Sequence, residues 1–179
     1  MVIAVAGRRI DAAGTTLPRF PLQSVPLVER RLDELFAREA ATALVASAAC
    51  GADLIAMTVA GIRKMRRRVV LPFDRDRFRA SSVTDRPGDW GTTYDQILAE
   101  LDQTGDIVTL EGHTVGDPAY AAASDTILDE AAKLAQRRDT NVIAVLVWEG
   151  GRRADRDMTA AFGEEARRRG WRVEQVKTL

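Results

Sequence analysis

The segment Ala46-Ser47-Ala48-Ala49-Cys50-Gly51-Ala52-Asp53 joins two apolar stretches of different character. The run Thr42 to Val45 before it is continuous, whereas apolar residues from Leu54 to Met65 recur at helical spacing. This pattern predicts a strand, a tight turn of small residues and a helix. In an open α/β sheet such a turn lies at the carboxyl end of a strand, where free backbone N–H groups at the helix start face a ligand crevice. The alternative is a plain strand-to-helix connection, because the strict dinucleotide-binding glycine fingerprint is absent.

The length and composition of the chain are typical of one ordinary domain, which spans residues 1–179. The 26 Lys and Arg residues balance the 26 Asp and Glu residues, so the formal net charge is +0. A balanced charge disfavours nucleic acid as a partner and gives no overall electrostatic attraction to a membrane. No apolar run approaches the roughly 20 residues of a membrane helix. One cysteine and one histidine exclude an internal disulfide and disfavour a zinc site. We therefore expect a cytoplasmic protein with no bound metal and no cofactor.

Predicted strands and helices alternate along the whole chain. The predicted strands are 2–6, 42–46, 69–73, 107–110, 142–148 and 171–176, and the predicted helices are 27–40, 52–64, 90–101, 119–137 and 157–169, with a short helical turn at 75–78. The proline-rich stretch 11–26 predicts a long loop, and long loops in compact domains are often functional. The alternation predicts an α/β fold: one doubly wound, mostly parallel sheet with helices on both faces.

A short basic run, Lys64 and Arg66 to Arg68, follows the second predicted helix. We interpret it as the end of that helix, where cations suit the negative end of the helix dipole. A nucleic-acid patch is the alternative, but the run is short and the overall charge is balanced.

The carboxyl ends of the predicted strands should converge on one crevice. The residues predicted to bind a ligand there are Gly7, Arg8, Arg9, Ser47, Ala48, Cys50, Gly51, Ala52, Asp53, Glu111, Trp148, Glu149, Gly150, Gly151, Asp157 and Thr159. The set combines glycines, arginines, carboxylates and an aromatic ring. A nucleotide-like ligand uses all four, as backbone donors, phosphate partners, ribose partners and a surface for the base.

Several of these residues have a purely structural alternative. Arg8 and Arg9 could clamp a phosphate or form salt bridges at the sheet edge. Asp53 could contact a ribose or simply suit the positive end of its helix. Asp157 is a credible N-cap, and the start of its helix could take an anion. Residues 152–156, just before Asp157, could instead form a flexible flap.

A second interpretation of the same residues is that they form a catalytic site. Glu111 and Asp53 are the candidate acids for cleavage of a glycosidic bond. A Cys50–His113 nucleophile pair is disfavoured, because a lone cysteine in an apolar-flanked turn is usually a packing residue. Ser47 is framed by no nucleophile-elbow motif, and the chain has no P-loop motif.

Three short motifs resemble the SLOG superfamily, a Rossmann-like group that includes the LOG phosphoribohydrolases, the DprA-type domains and the YspA-type proteins. They are Ala6-Gly7-Arg8-Arg9 after the first strand, Ser47 to Asp53 after the second, and Gly150-Gly151 after a late strand. The Gly51-Ala52-Asp53 turn is most similar to the YspA-type branch. The resemblance implies a bacterial protein with a nucleotide-derived ligand at the strand ends.

Members of this superfamily either cleave nucleoside monophosphates at the N-glycosidic bond or sense nucleotide signals. The Pro-Gly-Gly-x-Gly-Thr-x-x-Glu motif of the catalytic members has at best a stretched partial match here, at Gly150-Gly151 followed by Asp157 to Thr159. The resemblance therefore favours a binding or sensor role in signalling over a hydrolase. A third alternative is an interaction module whose alanine-rich helices, 119–135 and 160–166, pack on a partner, such as a second copy or fused signalling domains. Such small-residue faces also suit ordinary packing of helices on a sheet, which we favour.

Overall fold

Six parallel strands form one sheet in the computed structural model, which describes residues 1–112, 114–152 and 157–179. The strands are β1 (Val2–Gly7), β2 (Ala43–Ala46), β3 (Arg66–Leu71), β4 (Ile107–Thr109), β5 (Val142–Trp148) and β6 (Arg172–Lys177). Their order across the sheet is β4-β3-β2-β1-β5-β6. The chain winds outward from β1 in one direction and then returns to add β5 and β6 on the other side. The direction reverses between β1 and β5, so the predicted doubly wound parallel sheet is confirmed.

Helices cover both faces of this sheet. They are α1 (Val25–Arg38), α2 (Ala52–Ile62), α3 (Arg75–Phe78), α4 (Trp90–Asp102), α5 (Asp117–Arg137) and α6 (Met158–Arg168). The apolar side chains of α1, α2 and α4 pack in one core layer. Those of α6 and of α5 from Ala123 onward pack in the other, whereas Ala119 and Tyr120 at the start of α5 pack in the first. Successive side chains of β1 alternate between the layers, with Ile3 and Val5 in the first and Val2 and Ala4 in the second. An unbroken apolar strand is what a sheet buried on both faces requires.

The alanine-rich stretches of α5 and α6 face the sheet of their own chain. Ala123, Ala131, Ala135, Ala160 and Ala166 are all buried in the second core layer. Small side chains there let the helices lie close to the sheet. A partner protein would therefore have to use a different surface from the one that the alanine pattern suggested.

The basic run lies in a strand, and its assignment to the end of a helix was wrong. The helix α2 ends at Ile62, Lys64 has a positive φ of 56°, and Arg66 to Arg68 begin β3 in register with Ala43 to Val45 of β2. The charges are tolerated because acidic side chains surround them, as the ion pairs of Arg66 and Arg68 with Asp106 show. These ion pairs also disfavour the nucleic-acid patch.

The first helix begins two residues earlier than predicted, because Pro26 lies in its first turn. Proline is compatible with that position, where its missing N–H would have no partner in the helix. Among the described residues, no helix is both long and apolar enough to cross a lipid bilayer.

Candidate functional site

Two adjoining cavities lie at the carboxyl ends of β1 and β2, near the point where the strand order reverses. The first, here called the Asp53 cavity, has a volume of about 240 Å³ and lies between the turn before α2, α5 and the start of α6. The second, the arginine cavity, has a volume of about 300 Å³ and is lined by Arg8, Arg9, Arg19 and Arg86. The two share Gly7, Arg9, Met158 and Thr159 as walls.

A larger cavity, of about 550 Å³, opens at the opposite edge of the sheet. It is lined by residues at the amino ends of strands, such as Asn141 and Val142, and by the exposed side chain of Arg172. The Asp53 cavity contains a buried charged group, and the larger one has none among its described lining residues. In doubly wound sheets ligands bind at the carboxyl ends of strands, so we place the candidate site there.

Asp53 is the most unusual titratable group of the Asp53 cavity. Asp53 is only 9% exposed. Burial raises the pKa of its carboxyl to about 7, although the hydrogen bond from the Ala49 N–H and the charge of Arg9 both act to lower that pKa. The Ala49 N–H donates to Oδ2 at 3.2 Å, and Oδ1 makes no hydrogen bond with any described residue. The side chain therefore offers a free acceptor when ionised and a donor when protonated, near neutral pH.

Three of the backbone N–H groups of the turn before α2, which were expected to be free for a ligand, are bonded within the protein. Ala52 N donates to Arg8 O at 3.1 Å, Cys50 N donates to Ser82 O at 3.0 Å, and Ala49 N donates to Asp53. The chain after β1 lies directly on this turn. A Cβ atom on Gly51, whose φ is 95°, would stand 2.8 Å from Arg8 O.

Gly7 has a similar packing role at the end of β1. A Cβ atom there would lie 2.4 Å from Ala52 Cβ and 2.5 Å from Val147 O. The small residues Gly7, Gly51 and Ala52 thus let β1, β5 and α2 approach one another. This is the packing role that was the alternative to ligand binding for the turn.

Arg8 forms the salt bridges that were one of its two predicted roles. Its Nε lies 2.8 Å from Glu149 Oε2, and its Nη2 lies 2.7 Å from Asp157 Oδ2. Nη2 also donates to Gly151 O at 3.0 Å, and the guanidinium carbon lies 5.6 Å from the centre of the Trp148 ring. Burial alone would raise the pKa of Glu149, but the hydrogen bond from Arg8, a backbone hydrogen bond and the charges of Arg8 and Arg19 together outweigh it, and the pKa lies below its ordinary value.

The start of α6 faces both cavities. Asp157 is its N-cap, as predicted, and accepts a hydrogen bond from Ala160 N at 3.1 Å. Thr159 is only 5% exposed, and its hydroxyl makes no hydrogen bond with any described residue. The positive end of a helix and a hydroxyl without a hydrogen bond to the described residues therefore border the same space.

Other predicted residues lie away from the cavities. Ala48 and Cys50 are fully buried in the first core layer, where burial raises the pKa of the Cys50 thiol. Glu111 is exposed and follows β4, the edge strand of the sheet, so the structure does not bring it to Asp53. Gly150 is exposed next to Lys177. His113 and residues 153–156 of the predicted flap lie outside the described residues.

Sequence reasoning missed seven polar residues that line the cavities. They are Asp11, Thr15, Arg19, Ser82, Arg86, Tyr120 and Ser124. Ser82 Oγ lies 3.1 Å from the Tyr120 hydroxyl, a contact between segments 38 residues apart that no local pattern reveals. Arg19 lies in the long proline-rich loop, whose length was a usable signal.

No metal centre is apparent: within residues 1–112, 114–152 and 157–179, no group of three or more histidine, cysteine or acidic side chains could hold an ion. Neither a protein-family model nor a curated protein matches the chain. Among solved structures it is similar to the X-ray structure of DNA processing protein A (DprA) from Streptococcus pneumoniae, with a TM-score of 0.40 and 15% identity. The match covers 96% of this chain and 57% of that chain, so this chain spans a little over half of its length.

Proposed function

We propose that this protein is a SLOG-type domain that binds a nucleotide or nucleotide-derived small molecule at the carboxyl ends of β1 and β2, in a signalling role. The observation that carries the proposal is Asp53, a buried carboxylate with a free oxygen on the wall of a cavity. A carboxylate can accept hydrogen bonds from two ribose hydroxyls or from an amino group of a base. Phe78 and Tyr120, which also line the cavity, offer aromatic surface for the base.

The test is a thermal-shift panel of adenosine, AMP, ADP, GMP, NAD, ADP-ribose and cyclic nucleotides. A ligand that binds only the native state stabilises it by roughly 2.7 kcal/mol at a hundredfold excess over Kd. We expect one ligand class to raise the melting temperature of the wild type and of Asp76→Asn, whose side chain is on an exposed helical turn. Asp53→Asn should lose most of that rise. A flat panel for the wild type at saturating concentration contradicts the proposal.

A specific observation also favours hydrolysis of a nucleotide N-glycosidic bond as a second candidate function. A carboxyl group with a pKa of about 7 is partly protonated at neutral pH and can donate a proton to a departing base. Release of free base from nucleoside monophosphates, measured at high enzyme concentration, tests this candidate. Asp53→Asn should abolish the release, and binding without any release in the wild type would leave only the binding function.

A further inference from the structure

We infer that the arginine cavity is an anion subsite that takes the phosphate groups of a ligand, the remainder of which occupies the Asp53 cavity. The inference rests on the proposed function for the identity of that remainder, but not for the anion itself. The chemical class is a phosphate ester or anhydride with two or more negative charges.

The walls of this cavity are strongly unequal in charge. Arg8, Arg9, Arg19 and Arg86 line it, and Asp11 is the one acidic residue among the described lining residues. Asp11 Oδ2 already accepts hydrogen bonds from the backbone N–H groups of Arg19 and Phe20, at 2.9 and 3.0 Å. The lining thus presents donors and positive charge to whatever enters.

Three buried donors around this cavity have no hydrogen bond. They are Arg9 Nε, Arg19 Nη1 and Arg86 Nε. In the described part of the chain, Glu165 Oε2 is the one other buried side-chain nitrogen or oxygen atom without a hydrogen bond. Arg19 Nη1 lies 3.0 Å from Glu149 Oε1, and Arg86 Nε lies 3.5 Å from Asp85 Oδ2, so these contacts are ionic without the alignment of a hydrogen bond. Buried donors without acceptors are costly, and their concentration in one place points to a missing acceptor.

The carboxylates that pair with these arginines lie outside the lining of the cavity. Asp85 pairs with Arg9, and Glu149 pairs with Arg8 and Arg19, yet neither carboxylate lines the cavity. These pairs fix the guanidinium groups while leaving N–H groups directed elsewhere. A site whose donors are already positioned loses little conformational entropy when an anion binds.

The start of α6 adds a second, independent donor set. Met158 and Thr159 line both cavities, and the Thr159 hydroxyl makes no hydrogen bond with any described residue. Donors therefore reach this space from the residues after β1, from the turn before α4 and from α6. Several arginine forks around one space suit a tetrahedral phosphate with many acceptor oxygens better than a single planar carboxylate.

The test uses inorganic pyrophosphate as a probe, with binding measured by isothermal titration calorimetry. We expect the wild type to bind it, and Arg86→Gln and Arg19→Gln each to weaken binding by about tenfold or more, as loss of a charge-assisted hydrogen bond does. Arg77→Gln is the matched control, because Arg77 is exposed and pairs only with Asp74 among the described residues. It should bind like the wild type. The melting temperature of each variant without probe verifies that it folds.

Absence of pyrophosphate binding to the wild type, or equal binding by Arg86→Gln, Arg19→Gln and Arg77→Gln, overturns the inference. Comparison of adenosine with ADP separates it from the proposed function. If both bind equally well and the arginine variants do not matter, the nucleotide cavity stands and the anion subsite falls. If pyrophosphate binds as expected and no nucleoside or nucleotide does, the anion subsite stands and the proposed function falls.

Discussion

At the scale of single residues, Asp53 couples the candidate site to stability. Burial raises the pKa of its carboxyl to about 7 in the folded protein, whereas its ordinary value is 3.8. Between these values the folded protein holds a proton that the unfolded chain releases, so the free energy of unfolding falls as pH rises through this range. Below it Asp53 is neutral in both states, and above it the cost of burying the charge is complete.

We predict that Asp53→Asn removes this pH dependence. The free energy of unfolding of the wild type relative to Asp53→Asn should fall between about pH 4 and 7, by up to about 4 kcal/mol at 1.4 kcal/mol per unit of pKa shift. Urea unfolding of both proteins at several pH values measures the difference. Asp76→Asn, made at an exposed position, should show no such trend. A pH-independent difference for Asp53→Asn would show that the carboxyl titrates normally.

Gly7 gives a second prediction, about packing at the site. Gly7→Ala places a Cβ atom 2.4 Å from Ala52 Cβ and 2.5 Å from a backbone oxygen, which neither neighbour can relieve by rotating a side chain. We expect a loss of about 1–3 kcal/mol or more in the free energy of unfolding. Gly151→Ala meets no atom within 4 Å and should change it by less than about 0.5 kcal/mol. Equal stability of the two variants would contradict the packing role.

Residues of the site differ in how readily sequence reveals them. Asp53 was predictable, because a carboxylate directly after a strand and a small-residue turn must lie at the carboxyl edge of the sheet. The prediction of free N–H groups fails for Ala49, Cys50 and Ala52, because the first two bond within the chain and the residues after β1 fold back so that Arg8 O accepts from Ala52 N. Ser82 and Tyr120 meet only through tertiary structure, and nothing in their local sequence marks them.

At the scale of elements, β3 shows how tertiary contacts override a local charge pattern. Its register on β2 places Arg68 opposite Val45, and the arginine is held by Asp106 at 2.8 Å and by Glu130 at 2.5 Å. The sequence of the run alone fits a helix end equally well. The carboxylates that decide between the two lie 38 and 62 residues further along the chain, beyond the reach of a periodicity argument.

We predict that Arg68→Met lowers the free energy of unfolding by about 2–3 kcal/mol, because the side chains of Asp106 and Glu130 are largely buried and lose a shared partner. Arg77→Met, in an exposed ion pair, should cost less than about 0.5 kcal/mol. Chemical denaturation at pH 7 measures both. The same loss in both variants would mean that the β3 ion pairs are no stronger than surface pairs.

The pH dependence of the Arg68 effect has the opposite sign to that of Asp53. Burial alone would raise the pKa of Asp106 and of Glu130, but the hydrogen bonds and the charges of their basic neighbours together outweigh it, and both pKa values are lowered. A lowered pKa contributes stability above the ordinary carboxyl range, and that stability is lost as pH falls through the lowered values. The difference between wild type and Arg68→Met should therefore shrink below about pH 4.

At the scale of the whole molecule, one sheet ties both core layers together. The alternation of side chains along β1 means that the first layer cannot lose its packing without exposing one face of the strands that support the second. The alternation of strands and helices was enough to predict this architecture. It could not give the order of the strands, which depends on where α5 crosses the sheet to place β5 beside β1.

We predict that the two layers unfold in a single transition. Trp90 packs in the first layer, and Trp148 and Trp171 pack in the second, so Trp90→Phe and the double variant Trp148→Phe/Trp171→Phe each leave fluorescence from one layer. Their denaturation midpoints should each coincide with the midpoint of far-UV circular dichroism for the same variant. A fluorescence midpoint in either variant that precedes its dichroism midpoint would show that one layer opens alone. Helices would then leave the sheet independently, and the cavities, which join segments of both layers, would be lost before the strands separate.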